Sequence, residues 1–281
     1  MWKVWYIALI GRPNTGKSTF LNALIGEKVS IVSSRPQTTQ RTIMGIHTHD
    51  GGQMIFLDTP WVHESIQEIN EYINTQAYKS LNSADVIVRF LDPTRPHGEE
   101  EKKIDTVLAT LTKPIIRVET KKDLPCGYHH PKIDVHISSS TREWFDALIE
   151  KIQPYLPEGE YLYDPEYYTD QDMELRLSEI IREQLFLCLG EEVPYASFVE
   201  ITEIEDTEWL LRIMAYINTE SDSQKYIIIG KGGKKLSEIG MKARMHLEDI
   251  FGKKVFLALR VKTLKNWRKN KAILEKLFPK R

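Results

Sequence analysis

The 281-residue chain carries 38 Lys and Arg against 40 Asp and Glu, a net charge of −2. With 41% hydrophobic residues and no low-complexity tract, it excludes a disordered or fibrous protein and fits two ordinary globular domains. The only N-terminal apolar run, Val4 to Ile10, is too short for a membrane span and has no small-residue cleavage site behind it. Cys126 and Cys188 are far apart and outside any C-x-x-C spacing, which fits a reducing cytoplasm and argues against a thiolate zinc site.

In chain order, the first element is the strand-like run "VWYIALI". It leads into "GRPNTGKS", Gly11 to Ser18, and then into the helix-like "TFLNALIG". A glycine-bounded loop between strand and helix is a phosphate cradle. Gly11, Arg12, Pro13, Asn14, Thr15 and Gly16 can turn successive N–H groups toward an anion at the helix N-terminus. Lys17 would reach the outer phosphates, Ser18 would ligate Mg²⁺, and Thr19 continues the cradle. "RPQTTQRTIMGI" follows, and Thr38 or Thr39 could add a second hydroxyl to the metal; Thr39 is favoured. "QMIFLD" reads as a strand ending at Asp58, whose carboxylate would hold Mg²⁺ through water, with Thr59, Pro60 and Trp61 turning toward the γ-phosphate.

Helix-like and strand-like runs then alternate to about residue 157: "INTQAYKSLNSA", "DVIVRFLD", "KKIDTVLATL", "PIIRVET", "KIDVHI" and "WFDALIEKIQPYL". Such alternation predicts an α/β domain, 1–157, with parallel strands and crossover helices. Within it "TKKD", Thr120, Lys121, Lys122 and Asp123, places a carboxylate able to accept both guanine N1–H and the exocyclic amine, which adenine cannot satisfy. "HISSS" brings Ser138 and Ser139 to the end of another strand, where a backbone N–H could meet the guanine carbonyl. The stretch "LPEGEYLYDPEYYTDQD" has no periodicity, and 158–172 reads as a linker.

Beyond the linker, 173–281 reads as an amphipathic helix, two strands, a helical region and a further strand, with a basic tail helix carrying Leu264, Trp267, Ile273, Leu274 and Leu277. From Lys225 to the end, 17 Lys or Arg face four acids, a local charge of +13, which leaves −15 for the rest. A basic domain on an acidic body predicts a polyanionic partner. "GKGG", Gly230, Lys231, Gly232 and Gly233, is a loop that lets a nucleic-acid backbone approach closely. Lys234, Lys235 and Arg244 supply phosphate contacts, and Ile227, Ile228 and Ile229 resemble an apolar platform for unstacked bases. The tail is expected to dock on its own domain; a membrane-surface helix is the competing reading.

Taken together these residues resemble the Era family, bacterial GTPases that assist small ribosomal subunit assembly, over nearly the whole chain. The loop GRPNTGKS, PQTT, DTP, TKKD and SSS correspond to the family's nucleotide motifs, and the stretch from "SQKYIIIGKGGKK" onward to its KH domain. The resemblance implies a P-loop GTPase domain followed by a smaller α+β KH domain of type II. It implies GTP and GDP as ligands, Mg²⁺ as cofactor, and small-subunit ribosomal RNA within the 30S subunit as partner. A cytoplasmic monomer is expected; the membrane reading of the tail would add a weak peripheral association. Catalysis would fall to Lys17, Thr39, Asp58 and Asn14, the last matching an asparagine that holds K⁺ in related cation-activated GTPases. Four positions depart from the family pattern: Trp61 for glycine, Thr120 for asparagine, Ser139 for alanine and Gln40 for arginine. With Val62 in place of a water-orienting glutamine, slow hydrolysis is expected. An RNA chaperone with weak or lost hydrolysis is the alternative of another class.

Overall fold

The structure is a computed structural model and describes residues 3–33, 35, 38–49, 52–60, 68–156, 158–190 and 192–279. The chain divides into two compact units. The first runs to Asp170, apart from Ile31–Thr38 and a short piece at the start of one helix; those two pieces group with the second unit, which continues from Gln171.

In the first unit the predicted alternation forms β1 (Lys3–Ile10), α1 (Lys17–Ile25), β2 (Ile43–His49), β3 (Gly52–Asp58), α2 (Glu68–Ser83), β4 (Val86–Leu91), α3 (Glu99–Ala109), β5 (Ile115–Glu119), β6 (Val135–His136) and α4 (Phe145–Ile152). The six strands order as β2-β3-β1-β4-β5-β6. All neighbours are parallel except β2, which pairs antiparallel with β3. Strands buried on both faces explain the unbroken apolar runs of the sequence. In β1, Ile7 and Leu9 face one core with Phe20, Leu21 and Leu148, while Ala8 and Ile10 face another with Leu81, Ile104 and Leu108. Phe20, the fourth residue of α1, packs against Phe56, Phe90 and Phe145 with ring centroids 5.9, 5.4 and 4.9 Å away, which pins the start of α1 to the sheet.

The expected linker is largely a strap. Tyr168 O accepts from Ile46 N at 2.8 Å, and Thr169 Oγ1 donates to Met44 O at 2.7 Å, so residues near the segment's end lie along edge strand β2. The fully buried Gln53 amide accepts from Leu162 N and Tyr163 N, each at 3.1 Å, and donates to Tyr163 O at 3.0 Å. The segment lacks periodicity because its backbone polar groups are satisfied by another element rather than by a ladder of its own. The compact first unit therefore reaches Asp170 instead of ending at 157.

The second unit contains α5 (Met173–Cys188), α6 (Glu192–Tyr195), β7 (Ser197–Asp206), β8 (Leu210–Thr219), α7 (Asp222–Ile229), α8 (Lys234–Phe251), β9 (Lys254–Thr263) and α9 (Lys271–Leu277). Its sheet orders β7-β8-β9, with β7 antiparallel and β9 parallel to β8. Helix α7 starts in a capping box: Ser221 accepts from Gln224 N while the Gln224 side chain takes the Ser221 N–H. The tail is not one helix from Leu264. Asn266, at φ 55°, breaks it, a short 3-10 turn carries Trp267, and α9 follows under an Asn270 cap. Trp267 is buried, donates Nε1–H to Ala196 O at 3.1 Å and lies 4.7 Å from the Phe198 ring; Leu274 is buried too. Trp267 and Leu274 thus pack on their own domain, whereas Leu264 is exposed. Among the described residues no helix is long and apolar enough to cross a membrane.

Candidate nucleotide site and nucleic-acid interface

The loop between β1 and α1 takes its shape from positions that exclude side chains. A Cβ on Gly11 would meet Phe90 O at 2.7 Å, and Gly16 sits at φ 93°. Asn14 occupies the left-handed region at φ 62°, which asparagine tolerates better than most residues, and it is exposed at the loop's tip. Thr15 is buried and ties its hydroxyl to Arg12 O at 2.9 Å. Lys17 Nζ donates to Gly11 O at 2.8 Å and Arg12 O at 3.2 Å, folding its ammonium over the loop. Burial pushes the Lys17 pKa down, against the opposing pull of Asp58 and Glu101.

The expectation for Arg12 is a backbone N–H in the cradle, and its side chain is used elsewhere. Its side chain, 3% exposed, turns away from the cradle. Its Nε lies 3.2 Å from Glu101 Oε1 and its Nη1 donates to Pro96 O at 3.0 Å. Glu101 is fully buried and also pairs with Arg89 at 2.9 Å, so the arginine serves a buried carboxylate of α3. What Arg12 offers the loop is its backbone.

Asp58 ends β3 fully buried. Its Oδ2 accepts from Ser18 Oγ at 2.6 Å and Ser30 Oγ at 2.8 Å, while its Oδ1 is buried with no hydrogen-bond partner among the described residues. Desolvation pushes the Asp58 pKa up; Lys17 and the two serines pull the other way. Thr39 Oγ1 lies 3.5 Å from Ser18 Oγ, which favours Thr39 over Thr38 as the second hydroxyl. Thr38 is buried, and its carbonyl accepts from Arg182 at 2.9 Å. The Thr59 hydroxyl is spent on Leu9 O at 2.7 Å, which leaves its backbone, the part the sequence reading assigns to the γ-phosphate. Pro60 is buried beside it, and Thr19 is half-buried in the first turn of α1. Trp61 and Val62 lie outside the described residues.

At the base side, Thr120 donates its hydroxyl to Thr15 O at 2.8 Å and to Leu91 O at 3.1 Å, locking the fourth motif to the phosphate loop without an asparagine. Lys121, at φ 55°, reaches Asp92 at 2.7 Å. Lys122 is exposed, and its N–H is held by Ile137 O at 3.2 Å. Asp123 accepts from Ser138 Oγ at 2.6 Å and from Ser140 Oγ at 3.0 Å. The Ser138 bond leads the effects that hold its carboxyl below the usual range. Ser139 donates to Gly16 O at 3.3 Å. The structure therefore gathers four of the five motifs around one cleft mouth at the carboxyl ends of β1, β3, β5 and β6, where open α/β sheets bind ligands.

Three members of this constellation are missing from the sequence expectation: Ser140, Ser30 and Asn22. Ser140 is the last residue of the SSS motif, of which the sequence reading singles out only Ser138 and Ser139. Ser30 and Asn22 belong to no nucleotide motif.

In the second unit, Gly230, Gly232 and Gly233 have φ of 69°, 60° and 77°. A Cβ on Gly230 would meet Lys235 Cβ at 2.6 Å, whereas no described atom lies near one on Gly232 or Gly233. Lys231, Lys234 and Arg244 are exposed. Lys235 is partly engaged, donating to Glu238 at 2.9 Å; Lys242 binds the same carboxylate at 2.9 Å, and the two bring its pKa down to about 2. Ile228 corrects the platform expectation: it is fully buried in the core with Ile217, Ile239 and Ala243. Ile229 is half-buried, and the exposed apolar side chains of this turn are Tyr226 and Ile227. On a helix one residue of such a run must face inward, and the domain's packing selects it.

Comparisons with known proteins agree with this geometry. Residues 6–121 match the family described as 50S ribosome-binding GTPase, and residues 192–268 match the KH domain. The GTPase Era of Thermoanaerobacter sp. (strain X514) is 41% identical over 289 aligned residues, covering 98% of this chain and 96% of the relative. The crystal structure of a point variant of Aquifex aeolicus Era bound to GDP.AlF4⁻ is similar at TM-score 0.90 and 36% identity, covering 99% of each chain. A crystal structure of Era in complex with MgGDPNP and nucleotides 1506–1542 of 16S ribosomal RNA is similar at TM-score 0.91 and 36% identity, again over 99% of each. With the phosphate loop, the guanine-side motifs and the glycine loop of the second unit all in place, the chain belongs to the Era family of GTPases, a P-loop GTPase domain followed by a KH domain.

Proposed function

We propose that this GTPase binds Mg²⁺ and GTP at the cleft described above and binds single-stranded small-subunit ribosomal RNA through the GKGG loop. In this reading nucleotide state times the RNA contact during 30S assembly. The observation that carries the nucleotide part is Asp58: a fully buried carboxylate with one oxygen held by two hydroxyls and the other without a partner among the described residues, beside a buried lysine. Ser18, Thr39 and Asp58 form an oxygen-only donor set, which suits Mg²⁺. Held by those residues, the ion would supply positive charge against the charge that develops on the phosphates. The RNA part is supported by the exposed lysines around Gly232 and by the relative crystallised with 16S ribosomal RNA.

Lys17 exchanges its loop carbonyls for phosphate oxygens, and backbone N–H groups from Asn14 to Thr19 line the phosphates, with Pro13 shaping the turn before them. Thr59, with Pro60 beside it, approaches the γ-phosphate through the backbone; the same contact is proposed for Trp61, which lies outside the described residues. Asp123 reads guanine, with Thr120, Lys121, Lys122, Ser138 and Ser139 shaping that wall. Asn14, exposed at the loop tip, would hold K⁺ near the phosphates, where a cation would stabilise transition-state charge; bracing the loop by hydrogen bonding is its other reading. Gly230, Lys231, Gly232, Gly233, Lys234 and Arg244 meet the RNA backbone, with Ile229 as a partial base platform and Lys235 released from Glu238 on binding. A cytoplasmic monomer acting on the 30S subunit is the setting this implies. The buried Trp267 and Leu274 favour a docked tail over a membrane-surface one.

The test uses full-length protein, measuring single-turnover GTP cleavage with and without Mg²⁺ and binding of an oligonucleotide matching the 3′ end of small-subunit ribosomal RNA. Lys17→Ala is expected to weaken GTP binding by about 1.5–3 kcal/mol, a charge-assisted bond's worth, and to abolish the difference in RNA affinity between the GTP and GDP conditions. Mg²⁺-independent cleavage, or an RNA affinity in the unaltered protein that is the same with GTP and GDP, contradicts the reading.

A further inference from the structure

Asp58 has two oxygens, and the structure treats them differently. Both hydroxyl donors converge on Oδ2, Ser18 at 2.6 Å and Ser30 at 2.8 Å, while Oδ1 is buried and has no hydrogen-bond partner among the described residues. A carboxylate rotates about its last torsion over a broad, two-fold profile, so something must choose which oxygen is held and which stays available. Ser18 alone is a poor choice for that task, because it is itself an expected metal ligand. Ser30 is 3% exposed, belongs to no nucleotide motif and sends its hydroxyl to Asp58.

Ser30 is held with unusual redundancy by one side chain. Asn22 Oδ1 accepts from Val29 N at 2.9 Å and from Ser30 N at 2.8 Å, and Asn22 Nδ2 donates to Ser30 O at 2.8 Å. Both polar ends of one amide thus fix the backbone on either side of the Ser30 Cα. Asn22 lies four residues after Ser18 on α1, which places both on the same helix face. The helix that carries the metal-ligand hydroxyl therefore also carries the brace for the second hydroxyl. Of the charged groups around Lys17, Arg12 and Glu101 are engaged with each other, which leaves the orientation of Asp58 to the two serines.

We propose that Ser30, held by Asn22, is a positioning residue for Asp58: it fixes Oδ2 so that Oδ1 is presented toward the Mg²⁺ site. The inference rests on the assignment of Mg²⁺ to Ser18, Thr39 and Asp58. Its chemistry is that of outer hydrogen bonds that orient a ligating carboxylate, whose loss typically weakens metal binding by about 10- to 100-fold. Ser30 touches neither nucleotide nor metal in this role and is not a catalytic residue. Threonine keeps the hydroxyl and alanine removes it.

The experiment measures release of a fluorescent GDP analogue from full-length protein as Mg²⁺ is titrated, alongside release in excess EDTA and the melting temperature without nucleotide. Ser30→Ala is expected to raise the Mg²⁺ concentration for half-maximal retention by about tenfold. Release in EDTA should stay as in the unaltered protein, and Ser30→Thr should restore the midpoint. Asp58→Asn separates the proposal from the metal assignment beneath it. If Asp58→Asn moves the midpoint and Ser30→Ala does not, the positioning role is overturned and the Mg²⁺ assignment stands. If Asp58→Asn leaves the midpoint unmoved, the assignment falls and takes the proposal with it. A Ser30→Ala midpoint shift accompanied by equally faster release in EDTA, and not rescued by threonine, marks a packing role and also overturns it.

Discussion

At the scale of single residues, the site is a set of polar groups that have already been given partners. Asp123 is the clearest case: Ser138 and Ser140 each donate a hydrogen bond to it, so its carboxylate is oriented before any base arrives. Because the hydroxyls favour the charged form and hold its pKa low, the group is an acceptor throughout the neutral range. Asp123→Asn replaces one acceptor oxygen with a donor and leaves the guanine N1–H and amine without their match. The expected outcome is a loss of GDP affinity of about 10- to 100-fold, as a mispaired buried polar group costs about 1–3 kcal/mol. Xanthosine diphosphate, with an acceptor in place of the amine, should then bind better than GDP. Competition binding with the two diphosphates checks this, and an unchanged preference for guanosine contradicts the role.

At the scale of elements, the GKGG loop shows that equivalent letters carry unequal constraints. Gly230 has φ 69° and ψ 174°, a region essentially confined to glycine, and its missing Cβ is what lets the chain pass Lys235. Gly232, at φ 60° and ψ 26°, lies in the left-handed region with open space around it. Gly230→Ala is expected to destabilise the second unit by about 1–3 kcal/mol. Gly232→Asp should leave GTP binding intact, cost far less stability, and weaken RNA binding strongly by setting a negative charge beside the backbone phosphates. Denaturant unfolding and RNA titration on both variants check the contrast. Equal stability losses contradict the geometric distinction.

At the scale of the whole molecule, the net charge of −2 conceals the +13 carried from Lys225 onward. RNA binding should follow this local field, because released counterions depend on the phosphates contacted rather than on total charge. Lys231, Lys234 and Arg244 are exposed and Lys235 is released from Glu238 on binding, which makes four such contacts and predicts a log affinity against log salt slope of about −3 for a single strand. GDP binding, dominated by directional bonds in a cleft, should vary much less over the same salt range. A flat RNA response contradicts the phosphate-contact reading.

Much of this protein was legible in the sequence because its signals are local. The phosphate loop, Asp58, TKKD and GKGG are short runs whose residue types are dictated by backbone torsion or by ligand chemistry, and the apolar runs of β1, β3 and β4 report burial on both faces. The family follows from the order of those runs. Tertiary structure alone decided matters that depend on residues distant along the chain. Arg12 turned from the cradle because a buried Glu101, 89 positions on, required a cation. Ile228 went inward while Tyr226 and Ile227 stayed exposed, since packing against Ile217 and Ile239 selects one face of α7. The 161–169 segment became a strap because edge strand β2 and the buried Gln53 needed partners. Ser30 reached Asp58 only because Asn22 holds its turn, and no spacing rule encodes a hydrogen bond across 28 residues. Composition and period record what each residue prefers locally; which polar group meets which is set by the unfavourable cost of leaving any of them buried and unpaired, and that is evaluated only when the chain has closed on itself.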